Sequence, residues 1–270
     1  MEAQEKLHQR AGSLVESANL AEAEGLLNSL LAQTDGPIGP ILTLKALKLR
    51  GNVRARMGKF QEAARDMEQV VQSDQGDHDG WQQLALALAK TGDLARYRHH
   101  CKEMLHFFRD TTDPVTATQI AKSCLVMPSA LDAEDVVLAE RLADAAVALT
   151  PPRAFFPWRG MTMGLAEYRR GEFARATKII DRIAPAAGEG GPRGFPWRCD
   201  ALFISAMAHQ QLKETGKARA ALDQGRELAR ATLPALDSQD LGAAWWDVLF
   251  ANILMAEAGK SIEAATPARP

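Results

Sequence analysis

The chain has 270 residues, of which 46% are hydrophobic and 24% charged, with a formal net charge of −2 at pH 7. This balance supplies no basic field for a nucleic-acid backbone, so we expect no nucleic-acid partner. The length allows a sizeable core within one domain.

The compartment signals are consistent with one another. Residues 1–18 are charged and lack the apolar centre of a signal peptide, and no apolar run is long enough to span a membrane. The three cysteines, Cys101, Cys124 and Cys199, are widely spaced and form no CxxC pair. We therefore expect reduced thiols, no membrane partner and a cytoplasmic location.

A degenerate repeat of about 34 residues organises the chain and is clearest over residues 44–77 and 78–111. Gly58 and Gly92 lie one repeat apart, each in a short turn between two amphipathic segments. This layout resembles the tetratricopeptide repeat, in which pairs of antiparallel helices stack on one another. Apolar residues recur at helical spacing almost throughout, and no alternating strand pattern appears. The sequence predicts an all-α, tetratricopeptide-type α-solenoid of about six helix pairs with a C-terminal capping helix.

In chain order, the predicted elements belong to a single superhelix over residues 1–260. The helix pairs are expected at about 2–34, 41–75, 78–110, 114–150, 156–185 and 196–230, with the cap at 240–258 and a frayed tail at 261–270. Pro151 is expected to stop the fourth pair. The acidic residues Asp132 and Asp240 are interpreted as helix caps.

The first candidate binding site is a basic strip on the first helix of the second pair. In such arrays the first helices line a concave groove, and the groove positions here are Lys45, Lys48, Asn52 and Arg56. An ammonium and an amide four residues apart share one helix face and can hold a peptide carboxylate. The matching basic residues of later pairs are missing, which favours a solvated basic face.

The second candidate site is an apolar strip at the equivalent positions of the fifth and sixth pairs. It consists of Trp158, Met161, Leu165, Phe203 and Met207. Such a strip suits an amphipathic helix or an extended peptide. The alternative interpretation, which we favour slightly, is that the terminal helix or the 185–197 loop covers these residues as core.

No catalytic, cofactor or metal site is predicted. His99 and His100 point about 100° apart on one helix, and His106 lies nearly two turns beyond His99, too far for both to hold one ion. Cys101 falls at a core position, so metal ligation is not expected. The glycine-rich run GEGGPRG (188–194) lacks the preceding strand of a phosphate loop. We expect no enzyme activity and no cofactor.

Several segments resemble the C-terminal repeat regions of eukaryote-like serine/threonine kinases of planctomycetes and related bacteria. They are YRHHCKEMLHFFRDTTDPVTATQIAKSCLVMP (97–128), LAERLADAAVAL (138–149), GLAEYRRGEFARA (164–176) and WWDVLFANILMAEA (245–258). The resemblance implies a repeat region that recruits partners or substrates. The chain has no glycine-rich strand turn followed by a lysine, no HRD…N loop and no DFG, so the kinase domain of that family is absent from it.

Two functions therefore remain open. The leading hypothesis is a non-catalytic protein–protein interaction scaffold that binds a peptide or helix of a partner in its concave groove. The alternative is the regulatory or substrate-docking region of a serine/threonine kinase. We expect a monomer, and a dimer through Trp245, Trp246, Phe250 and Leu254 of the terminal helix is the second option.

Overall fold

A computed structural model describes residues 2–32, 39–128, 131–148, 157–183 and 196–264. Every regular element among them is an α-helix. The helices are α1 (Glu2–Glu16), α2 (Leu20–Leu31), α3 (Pro40–Arg56), α4 (Phe60–Ser73), α5 (His78–Thr91), α6 (Leu94–Phe108), α7 (Pro114–Leu125), α8 (Ala133–Ala148), α9 (Pro157–Arg170), α10 (Phe173–Ile183), α11 (Trp197–Gln211), α12 (Thr215–Thr232) and α13 (Trp245–Glu263).

The all-α prediction of six helix pairs and a terminal helix is confirmed. Pro151 and residues 188–194 lie outside the described residues. The described helices group into two compact units. The first unit comprises Met1–Asp93 and Pro234–Trp246, and the second comprises Leu94–Leu233 and Asp247–Pro270. The single superhelix over 1–260 stays a prediction.

The turn between the two helices of a pair recurs with the same backbone conformation. Two residues before the second helix begins, the backbone is left-handed at Gly58, Gly92 and Gly171, with φ of 75°, 77° and 85°. Glycine suits this position because it has no Cβ to clash. The first and sixth pairs place Ala18 and Lys213 at the same position, with φ of 60° and 63°. The turn geometry is therefore kept where its glycine signal is lost.

Within a pair, small residues let the two helices approach closely. A Cβ added to Gly164 of α9 would lie 2.7 Å from Ile180 Cδ1 of α10, and one added to Gly225 of α12 would lie 2.6 Å from Phe203 Cε1 of α11. These distances are shorter than van der Waals contact, so the facing side chain fills the space that the glycine leaves.

Of the two predicted caps, one is confirmed and one is wrong. Asp132 Oδ1 accepts a hydrogen bond from the Asp135 amide at 3.0 Å, at the beginning of α8. Asp240 lies before α13 but does not cap it. Its carboxylate pairs with both Nε and Nη2 of Arg56, at 2.8 and 2.5 Å, within the first unit. Its Oδ1 also accepts a hydrogen bond from the Gly242 amide at 2.7 Å, but Gly242 precedes α13, so the carboxylate holds Arg56 and the turn before the helix.

None of the helices in the described ranges is long and apolar enough to cross a bilayer.

Candidate functional site

The predicted apolar strip is mostly core. Met161, Leu165, Phe203 and Met207 have no exposed surface, whereas Trp158 is 36% exposed. Phe203 packs on Gly225 inside its own helix pair rather than facing a groove. A peptide therefore cannot reach these four side chains in this structure. They are core, as the alternative interpretation expected, but residues 185–195 of the loop that it named as a cover lie outside the described residues.

The predicted basic strip in the first unit is largely paired. Lys48 Nζ lies 2.7 Å from Asp77 Oδ2, and Arg56 is buried against Asp240. Asn52 is half-buried, and Lys45 is exposed. Because two of the three cations already hold carboxylates, the strip offers a peptide carboxylate much less charge than the sequence indicated.

A face of the second unit that the sequence did not single out brings several charged side chains together. Helix α7 contacts α9, and α9 contacts α11, so the first helices of the last three pairs lie side by side. We call the side that carries Lys122, Arg169 and Asp200 the first-helix face. From Asp247 onward α13 belongs to this unit and lies against the face through Lys122 and Arg169.

The α7 end of this face is organised around a buried lysine. Lys122 is 8% exposed, and its Nζ donates to Asp247 Oδ1 at 2.7 Å and lies 4.3 Å from the centre of the Phe250 ring. Burial alone would lower the pKa of Lys122, but the charge of Asp247 and the hydrogen bond to its carboxylate raise it above its ordinary value. Lys122 therefore stays a cation and binds both a carboxylate and an aromatic face of α13.

Asp200 of α11 is the most unusual polar residue of the face. It has no exposed surface, and neither carboxyl oxygen has a hydrogen-bond partner among the described residues. Burial raises its pKa well above the ordinary value; Lys122 opposes that shift and Asp247 adds to it. A buried carboxyl without partners is costly, and the raised pKa favours its neutral form.

Arg169 of α9 joins three helices. Its guanidinium donates to the carbonyl oxygens of Leu125 and Val126, at 2.8 and 2.9 Å, where α7 ends. It also forms a two-pronged pair with Glu257 of α13, with Nη2 2.7 Å from Oε2. A cation at the carboxyl end of a helix is favourable, and the fork geometry fixes the approach of the carboxylate.

A cavity of about 450 Å³ opens beside this ion pair. Its lining is apolar where α7, α8 and α10 meet and polar at Tyr168, Arg169, Gln211 and Glu257. The apolar lining includes Met127, Leu131, Val136 and Phe173. Burial raises the pKa of Tyr168, and Glu257 adds to the shift, so its hydroxyl keeps its proton. The cavity has the size and polarity to receive one large apolar side chain.

The described residues contain no group of three or more side chains suited to a metal ion. In the histidine segment, His100 and Cys101 are buried, whereas His99 is exposed. Sequence reasoning missed Lys122 and Asp200. The available signal was in α13, where Asp247 and Glu257 interrupt an otherwise apolar run.

Comparison with known proteins identifies the fold. No family model matches the chain, and no curated protein matches it. Among solved structures, a tetratricopeptide repeat protein from Parabacteroides merdae is 14% identical with a TM-score of 0.60, covering 98% of this chain and 93% of that one. The assembly chaperone of RpL4 (Acl4) is 14% identical with a TM-score of 0.56, covering 97% and 99%. NprR in complex with its cognate peptide NprX is 15% identical with a TM-score of 0.55, covering 98% and 75%.

These similarities show the fold. The chain is an all-α protein of the tetratricopeptide-repeat fold, as the repeat spacing predicted. The resemblance to kinase-associated repeat regions stays a prediction.

Proposed function

We propose that this chain is a non-catalytic protein–protein interaction scaffold that binds a peptide or helix of a partner protein on the first-helix face of the second unit. One observation carries the proposal: this face holds a helix, α13, through Lys122 and Arg169 together with the buried ring of Phe250. A surface with that chemistry is suited to helices and peptides of matching charge.

The cavity beside Arg169 supplies the proposed contact point. It is open while α13 is in place, and its apolar lining suits an anchor side chain of a partner, with Tyr168 and Gln211 at its polar side. Trp158 and Lys45 remain predicted contacts from the sequence. Two relatives in fold support a protein or peptide partner: NprR was solved with its peptide, and Acl4 is an assembly chaperone.

The other expectations stay predictions. The kinase-docking alternative rests on the sequence resemblance, and a cytoplasmic location on composition. For the dimer option, Trp245, Phe250 and Leu254 are buried within the single chain, which leaves them unavailable to a second copy in this arrangement and favours a monomer.

Two neighbouring valines allow a matched test. Val136 lines the cavity, whereas Val137 is 61% exposed on the same helix. Purified wild-type chain, Val136→Asp and Val137→Asp would each be incubated with lysate of the source cell. Retained proteins would be identified by mass spectrometry, with circular dichroism as the folding control.

We expect wild type and Val137→Asp to retain the same partner and Val136→Asp to retain about tenfold less, because a buried carboxylate would displace the anchor. Equal retention by all three chains would place the partner elsewhere. Retention of nothing by wild type would contradict the scaffold function.

A further inference from the structure

The side of α13 that packs against the first-helix face carries a regular pattern of residues. Asp247, Phe250, Leu254 and Glu257 are spaced i, i+3, i+7 and i+10, which places them on one side of a helix. Phe250 and Leu254 have no exposed surface, and the two carboxylates at the ends pair with Lys122 and Arg169. We call this set the acidic-ended stripe.

The receptor side is complementary to this stripe at both ends. Ten residues of helix span about 15 Å, so one carboxylate reaches α7 while the other reaches α9. Each cation is buried with its carboxylate: the side chains of Lys122 and Arg169 are 10% and 11% exposed. A helix with neutral or basic ends would leave two buried cations unpaired, which is strongly unfavourable.

The surface that α13 packs against also contains a buried polar group that disfavours this contact. Asp200 lies buried beside Lys122 and Asp247 without a hydrogen-bond partner among the described residues. Asp247 of α13 places a like charge beside it and donates no hydrogen bond to it. A partner helix that keeps the acidic-ended stripe and also donates a hydrogen bond to Asp200 would therefore bind this face better than α13 does.

We propose that the first-helix face of the second unit is a receptor for a partner helix bearing an acidic-ended stripe, and that α13 is the intramolecular occupant which this partner replaces. This inference rests on the proposed function, because it assumes that a partner binds this face. Val248–Ala251 are buried all round the helix, so replacement is slow and is limited by the release of α13.

The test uses the full-length chain and a fluorescein-labelled peptide of residues 245–263, with binding followed by anisotropy. In the wild-type chain, α13 competes at the high effective concentration of a tethered ligand. The chain variant Glu257→Arg places a second cation beside Arg169 and weakens α13. The chain variant Arg169→Glu weakens α13 too, but it repels the unmodified peptide. Arg141→Glu, on the exposed surface of α8, is the matched control.

We expect a crossed pattern. The unmodified peptide binds the Glu257→Arg chain at least about tenfold more tightly than it binds the wild-type or Arg141→Glu chain. It fails to bind the Arg169→Glu chain. A peptide carrying Glu257→Arg shows the reverse preference and binds the Arg169→Glu chain. Absence of the crossed pattern in folded variants overturns the proposal. If size-exclusion chromatography shows that the variants become dimers, the proposal is overturned, because a second copy of the chain is then the occupant of this face.

Wild-type hydrogen exchange keeps the proposal testable if the variants unfold. We expect amides of α13 to exchange at least tenfold faster than those of α7 and α9, because α13 leaves without global unfolding. Equal exchange of all three helices overturns the proposal.

The two proposals fail in different ways. If the peptide does not bind while partner capture still depends on Val136, the inference fails and the proposed function stands. If the peptide binds in the crossed pattern but displaces no captured protein, the face accepts α13 alone, and the proposed function and the inferred partner fail together.

Discussion

The substitution Asp200→Asn tests the conclusion that burial raises the pKa of the Asp200 carboxyl. Asparagine has nearly the same shape but cannot ionise, so the variant removes the titration without opening a cavity. The charged groups facing Asp200 are Lys122 of α7 and Asp247 of α13, and both remain in the variant.

The raised pKa of Asp200 determines the direction in which its contribution to stability changes with pH. Because folding raises the pKa of Asp200, the folded state binds its proton more tightly than the unfolded state. This contribution to stability is fully present below the unfolded pKa of about 3.9 and is lost as the pH rises toward the folded pKa. Within that window the free energy of unfolding of the wild type falls more steeply with pH than that of the variant, because only the wild type has a carboxyl that must lose its proton there.

Urea denaturation followed by circular dichroism at a series of pH values from 4.5 to 7.5 measures this difference. The free energy of unfolding of Asp200→Asn should fall less steeply with pH than that of wild type. Asp223→Asn, an exposed aspartate of α12, is the control and should parallel wild type. Parallel profiles for wild type and Asp200→Asn would refute the reasoning, because they would mean that Asp200 gains no proton affinity on folding.

Three further substitutions test local packing through urea denaturation. Lys213→Gly should stabilise the chain by about 1 kcal/mol, because glycine adopts the left-handed turn at φ 63° without strain. Gly225→Ala should destabilise it by about 1–3 kcal/mol despite the better helix propensity of alanine, because the new methyl would meet Phe203 at 2.6 Å. Asp240→Ala should cost about 2–3 kcal/mol, because it leaves the buried guanidinium of Arg56 without its carboxylate.

Each of these three has a contrary outcome. A destabilising Lys213→Gly would mean that the lysine side chain contributes more than the turn strain. A stabilising Gly225→Ala would mean that the ring of Phe203 moves aside freely. A neutral Asp240→Ala would mean that solvent replaces the carboxylate at Arg56.

Much of the fold could be predicted because the repeat leaves local signals. Gly58 and Gly92 mark the turns, and small residues such as Gly164 mark the close helix contacts. Ala18 and Lys213 show where those signals fail: the same backbone conformation is imposed by the flanking helices, without the residue that favours it. There the helix pairs had to be inferred from apolar spacing alone.

The candidate site could be predicted only in part, because it depends on where α13 lies. An apolar helix without its own pair is equally compatible with an end cap and with a position against α7 and α9. In the sequence, Lys122 and Asp200 look like ordinary polar residues of a helix, because their spacing does not show that α13 will lie against them. Asp247 and Glu257, within the apolar part of α13, were the local indication of basic partners.

Hydrogen–deuterium exchange of the wild-type chain, with and without its captured partner, tests the central claim most directly. The account predicts that the partner slows exchange around Leu131–Val136 and Tyr168–Phe173 and speeds it in α13, which has been replaced. Slower exchange confined to α3, where Lys45 and Lys48 lie, would contradict the account and return the binding site to the first unit.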